Sequence, residues 1–110
     1  MPSWSGQLAP SFRPWAEWIV DVATRYGLAP VVASAYRSGA KQRQLYSRYL
    51  SGQNPYPVAR PGTSQHEYGL AIDINLPHPE YLPWLGSVWR SVGGPWSESD
   101  PVHFGVPRAS

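Results

Sequence analysis

The sequence predicts a small α+β domain, in which a short, mostly antiparallel sheet is flanked by two to three helices. Apolar residues recur at helical spacing in three stretches, and apolar or β-branched runs of five or six residues lie between and after them. Length adds a bound. At 110 residues the chain can bury one core but not two, so a single domain over 1–110 is expected.

Residues 1–10 read as an extended arm. Ser11 is placed to cap a first helix, with Pro14 in the first turn, where its missing N–H costs no hydrogen bond. Trp15, Trp18, Ile19, Val22, Ala23 and Tyr26 follow as one apolar stripe, and Gly27 stops the helix. Two tryptophans there could make a sugar platform, but at this spacing they are expected in the core. Val31 to Tyr36 reads as a strand after Pro30. Ala40 to Leu50 predicts a second helix with Leu45, Tyr49 and Leu50 inward, ended by Gly52. Residues 52–63 are too rich in Pro and Gly for regular structure and predict a loop able to wall a cleft. Leu70 to Asn75 is an apolar strand carrying Asp73. A third helix is predicted over 80–92, with Leu82, Leu85, Trp89 and Val92 on one face. Val102 to Val106 makes a last short strand carrying His103.

Composition narrows the chemistry. The chain is 42% hydrophobic and 15% charged, which suits a packed domain rather than a disordered one. Without cysteine it has neither disulfides nor thiolate metal sites, so any metal must be held by His and carboxylates. A net charge of +2 from scattered basic residues favours approach to an anionic polymer but makes no nucleic-acid stripe. No run is apolar enough to span a bilayer, and the first residues lack the basic and apolar regions of a secretory signal. A monomer is expected, without nucleic-acid or membrane partners.

The residues most demanding of explanation are in S-Q-H-E-Y-G-L-A-I-D, Ser64 to Asp73, and D-P-V-H, Asp100 to His103. A carboxylate inside the apolar run A-I-D-I-N needs a salt bridge, a cap or a metal, because an unpaired buried charge is costly. Gly69 permits a tight turn between His66 and Asp73, and His103 can join them from a neighbouring strand. Two imidazoles and a carboxylate are a ligand set for one catalytic Zn²⁺, which places a zinc site on the sheet. Taken singly each His is ordinary, and His78, between prolines, is read as structural. Asp100 could be the general base or simply a turn residue before Pro101. Arg37 could stabilise an oxyanion or make a surface salt bridge.

These motifs also carry a resemblance. S-x-H-x-x-G-x-A-x-D is similar to the metal signature of the D-Ala-D-Ala metallopeptidases, which include van-type carboxypeptidases and phage endolysins that cut between L-Ala and D-Glu. Tyr36, Arg37, Ser38, Gln42, Leu45 and Tyr46 match the family's upstream Y-R-S-x-x-x-Q-x-x-L-Y pattern. Gly93-Gly94-Pro95-Trp96 through Asp100 and His103-Phe104 resemble its close. The resemblance implies Zn²⁺ on His66, Asp73 and His103, Asp100 as catalytic base, and Arg37 stabilising the tetrahedral intermediate. Ser64, Gln42 and Tyr36 would meet substrate or orient the loop. Departures are Ser91-Val92, where many relatives have an aromatic residue, and Gly105, where an acidic one is common. Asp100 itself stands where van-type enzymes have Glu, which brings the chain nearer the endolysin branch.

The expected function is therefore a zinc peptidase cutting the peptide part of bacterial peptidoglycan at L-Ala–D-Glu, phage-encoded or virion-associated. The alternative is a D,D-carboxypeptidase, with Arg60 a candidate to hold the terminal carboxylate. From other classes come a zinc-containing cell-wall-binding module without chemistry, and an aromatic carbohydrate binder.

Overall fold

The computed structural model describes residues 3–54 and 58–107. Helix α1 (Arg13–Arg25) leads to strand β1 (Val31–Ser34) and helix α2 (Gly39–Leu50). A 3₁₀ turn (Gln65–Tyr68) precedes β2 (Ala71–Asn75), a second (Pro79–Tyr81) opens helix α3 (Leu82–Ser91), and β3 (His103–Gly105) ends the order. The three strands form one antiparallel sheet, β1-β2-β3, with β2 central. The predicted α+β class, three helices and antiparallel sheet are all present.

Alternation along β2 divides the molecule. Ile72 and Ile74 are fully buried in the core, Ile72 beside Phe104 of β3, while Asp73 pairs with His103 on the opposite face. Helices α1 and α3 cover the core face through Ile19, Ala23, Leu85 and Trp89. Trp89 sets its ring edge-on to both Phe12 and Phe104, and its indole N–H donates to the Gly105 carbonyl at 2.9 Å. A buried tryptophan of this kind is worth about 3–5 kcal/mol against alanine. It also fixes β3, and so His103, to α3.

Several expectations are corrected. Residues 3–12 are a run of turns, not an extended arm: Leu8 is buried, and the Arg13 guanidinium donates to the carbonyls of Ser5, Gly6 and Leu8. Phe12, not Ser11, holds the cap position of α1, without a side-chain cap bond. The stripe of α1 that meets the core is Phe12, Ala16, Ile19 and Ala23, whereas Trp15, Trp18 and Tyr26 are 38%, 36% and 69% exposed. Ile19 and Ala23 are buried as expected, so what differs is which edge of the apolar arc turns inward. The two alanines let the helix axis approach the sheet closely, and the bulky aromatic row cannot share that interface. In α2 the expected inward Leu45, Tyr49 and Leu50 are partly or largely exposed, and Gln42 is the buried residue. The expected loop over 52–63 is irregular at 52–54 and 58–63; its residues 55–57 lie outside the described ones.

Candidate metal centre

Three short-range devices bring the site together. Ser64 caps the 3₁₀ turn, its Oγ accepting from the His66 N–H at 3.2 Å. Gly69 then reverses the chain at φ +68°, and a Cβ there would lie 2.7 Å from the Ala9 nitrogen, so only glycine fits. The third is a register shift between Val32 and Ser34, which sets Ser34 opposite Asp73 and carries the chain on to Arg37.

His66 is 2% exposed. Its Nδ1 lies 2.7 Å from the Ala35 carbonyl, which can only accept, so the ring donates there and turns the Nε2 lone pair outward. That Nε2 is 3.1 Å from Asp73 Oδ1. His103 repeats the arrangement with its nitrogens exchanged: Nε2 donates to Gln65 Oε1 at 3.1 Å, and Nδ1 stands 3.5 Å from the same Asp73 oxygen. One donor atom from each residue lies within 4.8 Å of the others. Three lone pairs converging on one point repel each other unless a proton or a cation sits among them. The second nitrogen of each ring is already anchored, as metal-bound histidines require. The set therefore fits a metal ion on its chemistry.

Arg37 lies behind Asp73. Its guanidinium donates to Asp73 Oδ2 at 2.9 Å, to Ser34 Oγ at 2.8 Å and to Gln42 Oε1 at 3.3 Å. Gln42 in turn donates to the Ala59 carbonyl at 2.8 Å. Gln42, expected to meet substrate, is fully buried here and engaged at both ends, bracing Arg37. In the metal-free site, where protons sit among the three donor atoms, burial works to raise the Asp73 carboxyl, but hydrogen bonds from His103 and His66, then the charge of Arg37, outweigh it. The carboxyl is held well below the usual carboxylate range.

Asp100 stands in the turn before β3, pinned on both sides: its N–H donates to the Ser97 carbonyl and its own carbonyl accepts from the His103 N–H. The turn hangs on Trp96, whose indole donates to the Pro101 carbonyl at 2.8 Å and lies under the Arg90 guanidinium. Though the residue is exposed overall, partial burial of its carboxyl raises it above the usual value, opposed by the charge of His103 and assisted by Asp73. Tyr36, 43% exposed, lines a cleft of about 580 Å³ with Arg37 and Asp73. Trp4 and Lys41 line it too and carry no motif that would have marked them. Arg60 is exposed in its loop and is not among the cleft's lining residues.

Gln65 is the residue of this site that sequence reasoning missed, since no spacing rule singles out a carboxamide beside a histidine. Its neighbour explains a departure: a Cβ on Gly105 would come 2.4 Å from Gln65 Oε1, so the small residue makes room for the acceptor of His103. Gln65→Ala is expected to weaken Zn²⁺ binding about 10–100-fold with the fold intact. Competition against a chromogenic chelator measures it, and unchanged affinity would show that His103 is oriented by other means.

Fold and site together define a candidate metal centre, with paired imidazoles and a carboxylate on one face of a small sheet. Over residues 7–90 the sequence matches the family described as VanY, D-alanyl-D-alanine carboxypeptidase, and the chain belongs to that family. It is 37% identical over 75 residues to a D-alanyl-D-alanine carboxypeptidase of Enterococcus faecalis, a match covering 56% of this chain and 28% of that protein. Two solved structures at 25% identity share the fold. One is VanYB with D-alanine-D-alanine, with a TM-score of 0.72 over 92% of this chain and 72% of the other. The other is a vancomycin-resistance D,D-pentapeptidase VanY variant with Zn(II), at 0.70 over 92% and 73%.

Proposed function

We propose that this chain is a Zn²⁺-dependent carboxypeptidase that removes a terminal D-Ala from the peptide part of peptidoglycan. The observation that carries it is the convergence of the His66, Asp73 and His103 donor atoms within 4.8 Å in a VanY-family fold. Those residues would hold one Zn²⁺, which when bound supplies Lewis acidity, polarising a carbonyl and acidifying water. The chain's own groups do the rest. Asp100 takes a proton from the attacking water and returns it to the departing amine. Arg37 donates three of its five N–H groups to described partners, which leaves two for an oxyanion or a carboxylate. Ser64 positions His66, and Tyr36 forms a wall of the cleft.

This reading departs from the expected cut at L-Ala–D-Glu. The family description and the curated relative both name D-alanyl-D-alanine carboxypeptidases, and the cleft holds two cations, Arg37 and Lys41, suited to a C-terminal carboxylate. Purified Zn²⁺-loaded protein should release free D-Ala from a stem pentapeptide, stop with chelator and resume with added Zn²⁺. Mass spectrometry of the products decides the bond. A fragment beginning at D-Glu would instead establish the endopeptidase, and intact peptide bound to Zn²⁺-loaded protein would favour the wall-binding module.

A further inference from the structure

The aromatic row that α1 keeps out of the core needs an account. Trp15 and Tyr26 stand about 20° apart around the helix at 100° per residue, with Trp18 about 60° from Trp15 on the other side. Trp15 and Trp18 meet edge-on at 6.3 Å. At the C-terminal end the row opens into a hollow of about 500 Å³ lined by Tyr26, Gly27, Leu28, His78, Tyr81 and Trp84. Tyr26 and Trp84 tilt against each other at 4.9 Å, yet Tyr26 is 69%, Tyr81 49% and Trp84 39% exposed. Three large rings so open to water do not serve the core.

The hollow lies away from the metal centre. Leu28 shortly precedes Val31 of β1, and His78 shortly follows Asn75 of β2, so both segments leave the sheet at the end closed by the Val31–Asn75 pair. Asp73 and Ser34 lie towards the other end of the β1–β2 ladder.

Its chemistry selects a class of ligand. The rings are aromatic rather than aliphatic and end in Tyr hydroxyls, an indole N–H and an imidazole, which combine a stacking face with a polar rim. Of the charged residues next to the lining ones in sequence, Arg25 is held by Asp21 at 2.9 Å, and Glu80 stands 3.4 Å from His78. Among the described residues, the only basic side chain lining the hollow is that imidazole. Such a surface is wrong for nucleic acid, anionic lipid or an acidic peptide, and suits a neutral, hydroxyl-rich chain with apolar ring faces.

We infer that the Tyr26–Tyr81–Trp84 hollow is a saccharide-binding site for the uncharged N-acetylhexosamine backbone of a glycan, separate from the peptide-cleaving centre. The choice of glycan rests on the peptidoglycan reading above, because that polymer joins sugar chain and peptide in one substrate. The site would hold the sugar while the opposite end of the sheet works on the peptide.

The probe is chitotetraose, an uncharged N-acetylglucosamine oligomer bearing no peptide. Titration into the wild-type chain, followed by tryptophan fluorescence and calorimetry, should give saturable one-to-one binding that chelator leaves unchanged. Trp84→Ala and Tyr26→Ala should each weaken it about tenfold or more, as truncation of an aromatic anchor does. Hydrolysis of a soluble stem pentapeptide should stay at the wild-type rate. Lack of saturable binding by wild type overturns the inference without reference to any variant's folding, as does undiminished binding by folded Tyr26→Ala/Trp84→Ala. A concentration-dependent dimer that these substitutions dissolve, seen by sedimentation, would assign the face to a second copy and overturn it too. Sugar binding without peptide cleavage would sink the peptidase reading alone, and cleavage without sugar binding would sink this one alone.

Discussion

Asp73→Ala is expected to abolish Zn²⁺ binding and hydrolysis together, a loss exceeding the 10–100-fold (roughly) expected for an outer partner such as Gln65. Asp73 is the member that both imidazoles face, and its second oxygen holds Arg37. Removing it also leaves a guanidinium with only 18% side-chain exposure without its carboxylate. Breaking a buried pair from one side costs on the order of 3–5 kcal/mol, so the metal-free variant should melt well below metal-free wild type. Arg37→Met in the same background should recover part of that stability but none of the activity, which separates the ion pair's contribution from the metal's. The pH dependence has a definite sign. The folded carboxyl titrates below its ordinary value of 3.8, so its stabilisation is complete above that value and is lost as pH falls below it. Urea midpoints from about pH 5 down to about pH 2 should therefore fall more steeply for metal-free wild type than for Asp73→Ala. Parallel curves would mean that the folded protein does not hold the Asp73 carboxyl below its ordinary range.

What the sequence revealed and what it hid follow from the range of the forces involved. The strand carrying Asp73 was legible because a carboxylate in A-I-D-I-N contradicts its apolar neighbours, and such a contradiction is local. His66 and His103 were legible as types at a spacing; that their lone pairs converge on one Asp73 oxygen depends on the antiparallel register of β2 and β3. Gln65 and Ala35, which aim the two rings, were not legible. One acts through a side chain with no distinguishing neighbours and the other through a backbone carbonyl. The error in α1 is of another kind. Ile19 and Ala23 lie inward as expected. Apolar bulk, however, favours Trp15, Trp18 and Tyr26 over Ala16, whereas close packing on a sheet rewards the small residue, and periodicity cannot decide which edge of the apolar arc turns inward. Gln42 shows the same limit from the polar side: it is buried because Arg37 and Ala59 satisfy its carboxamide, neither of which the helical pattern contains.

Asp100→Asn is expected to lower kcat by about 10²–10⁴ with metal content unchanged, because this carboxylate lies outside the His66–Asp73–His103 donor set. The substitution preserves shape, and the two backbone hydrogen bonds that pin the turn do not involve the side chain, so β3 and His103 should keep their places. A base must be ionised to accept a proton. Burial, which raises this carboxyl, moves the acid limb of kcat/KM up from the ordinary aspartate value, while a bound dication pulls it back down. Wild type should show that limb, and the residual activity of Asp100→Asn should lack it. Metal analysis is the decisive companion measurement. If activity falls only in proportion to lost Zn²⁺, Asp100 is a turn residue that shapes the approach to His103, and the proton must be taken elsewhere. If Zn²⁺ stays at one ion per chain while turnover collapses, the carboxylate acts on the reacting water, and the pinned turn before β3 exists to hold it there.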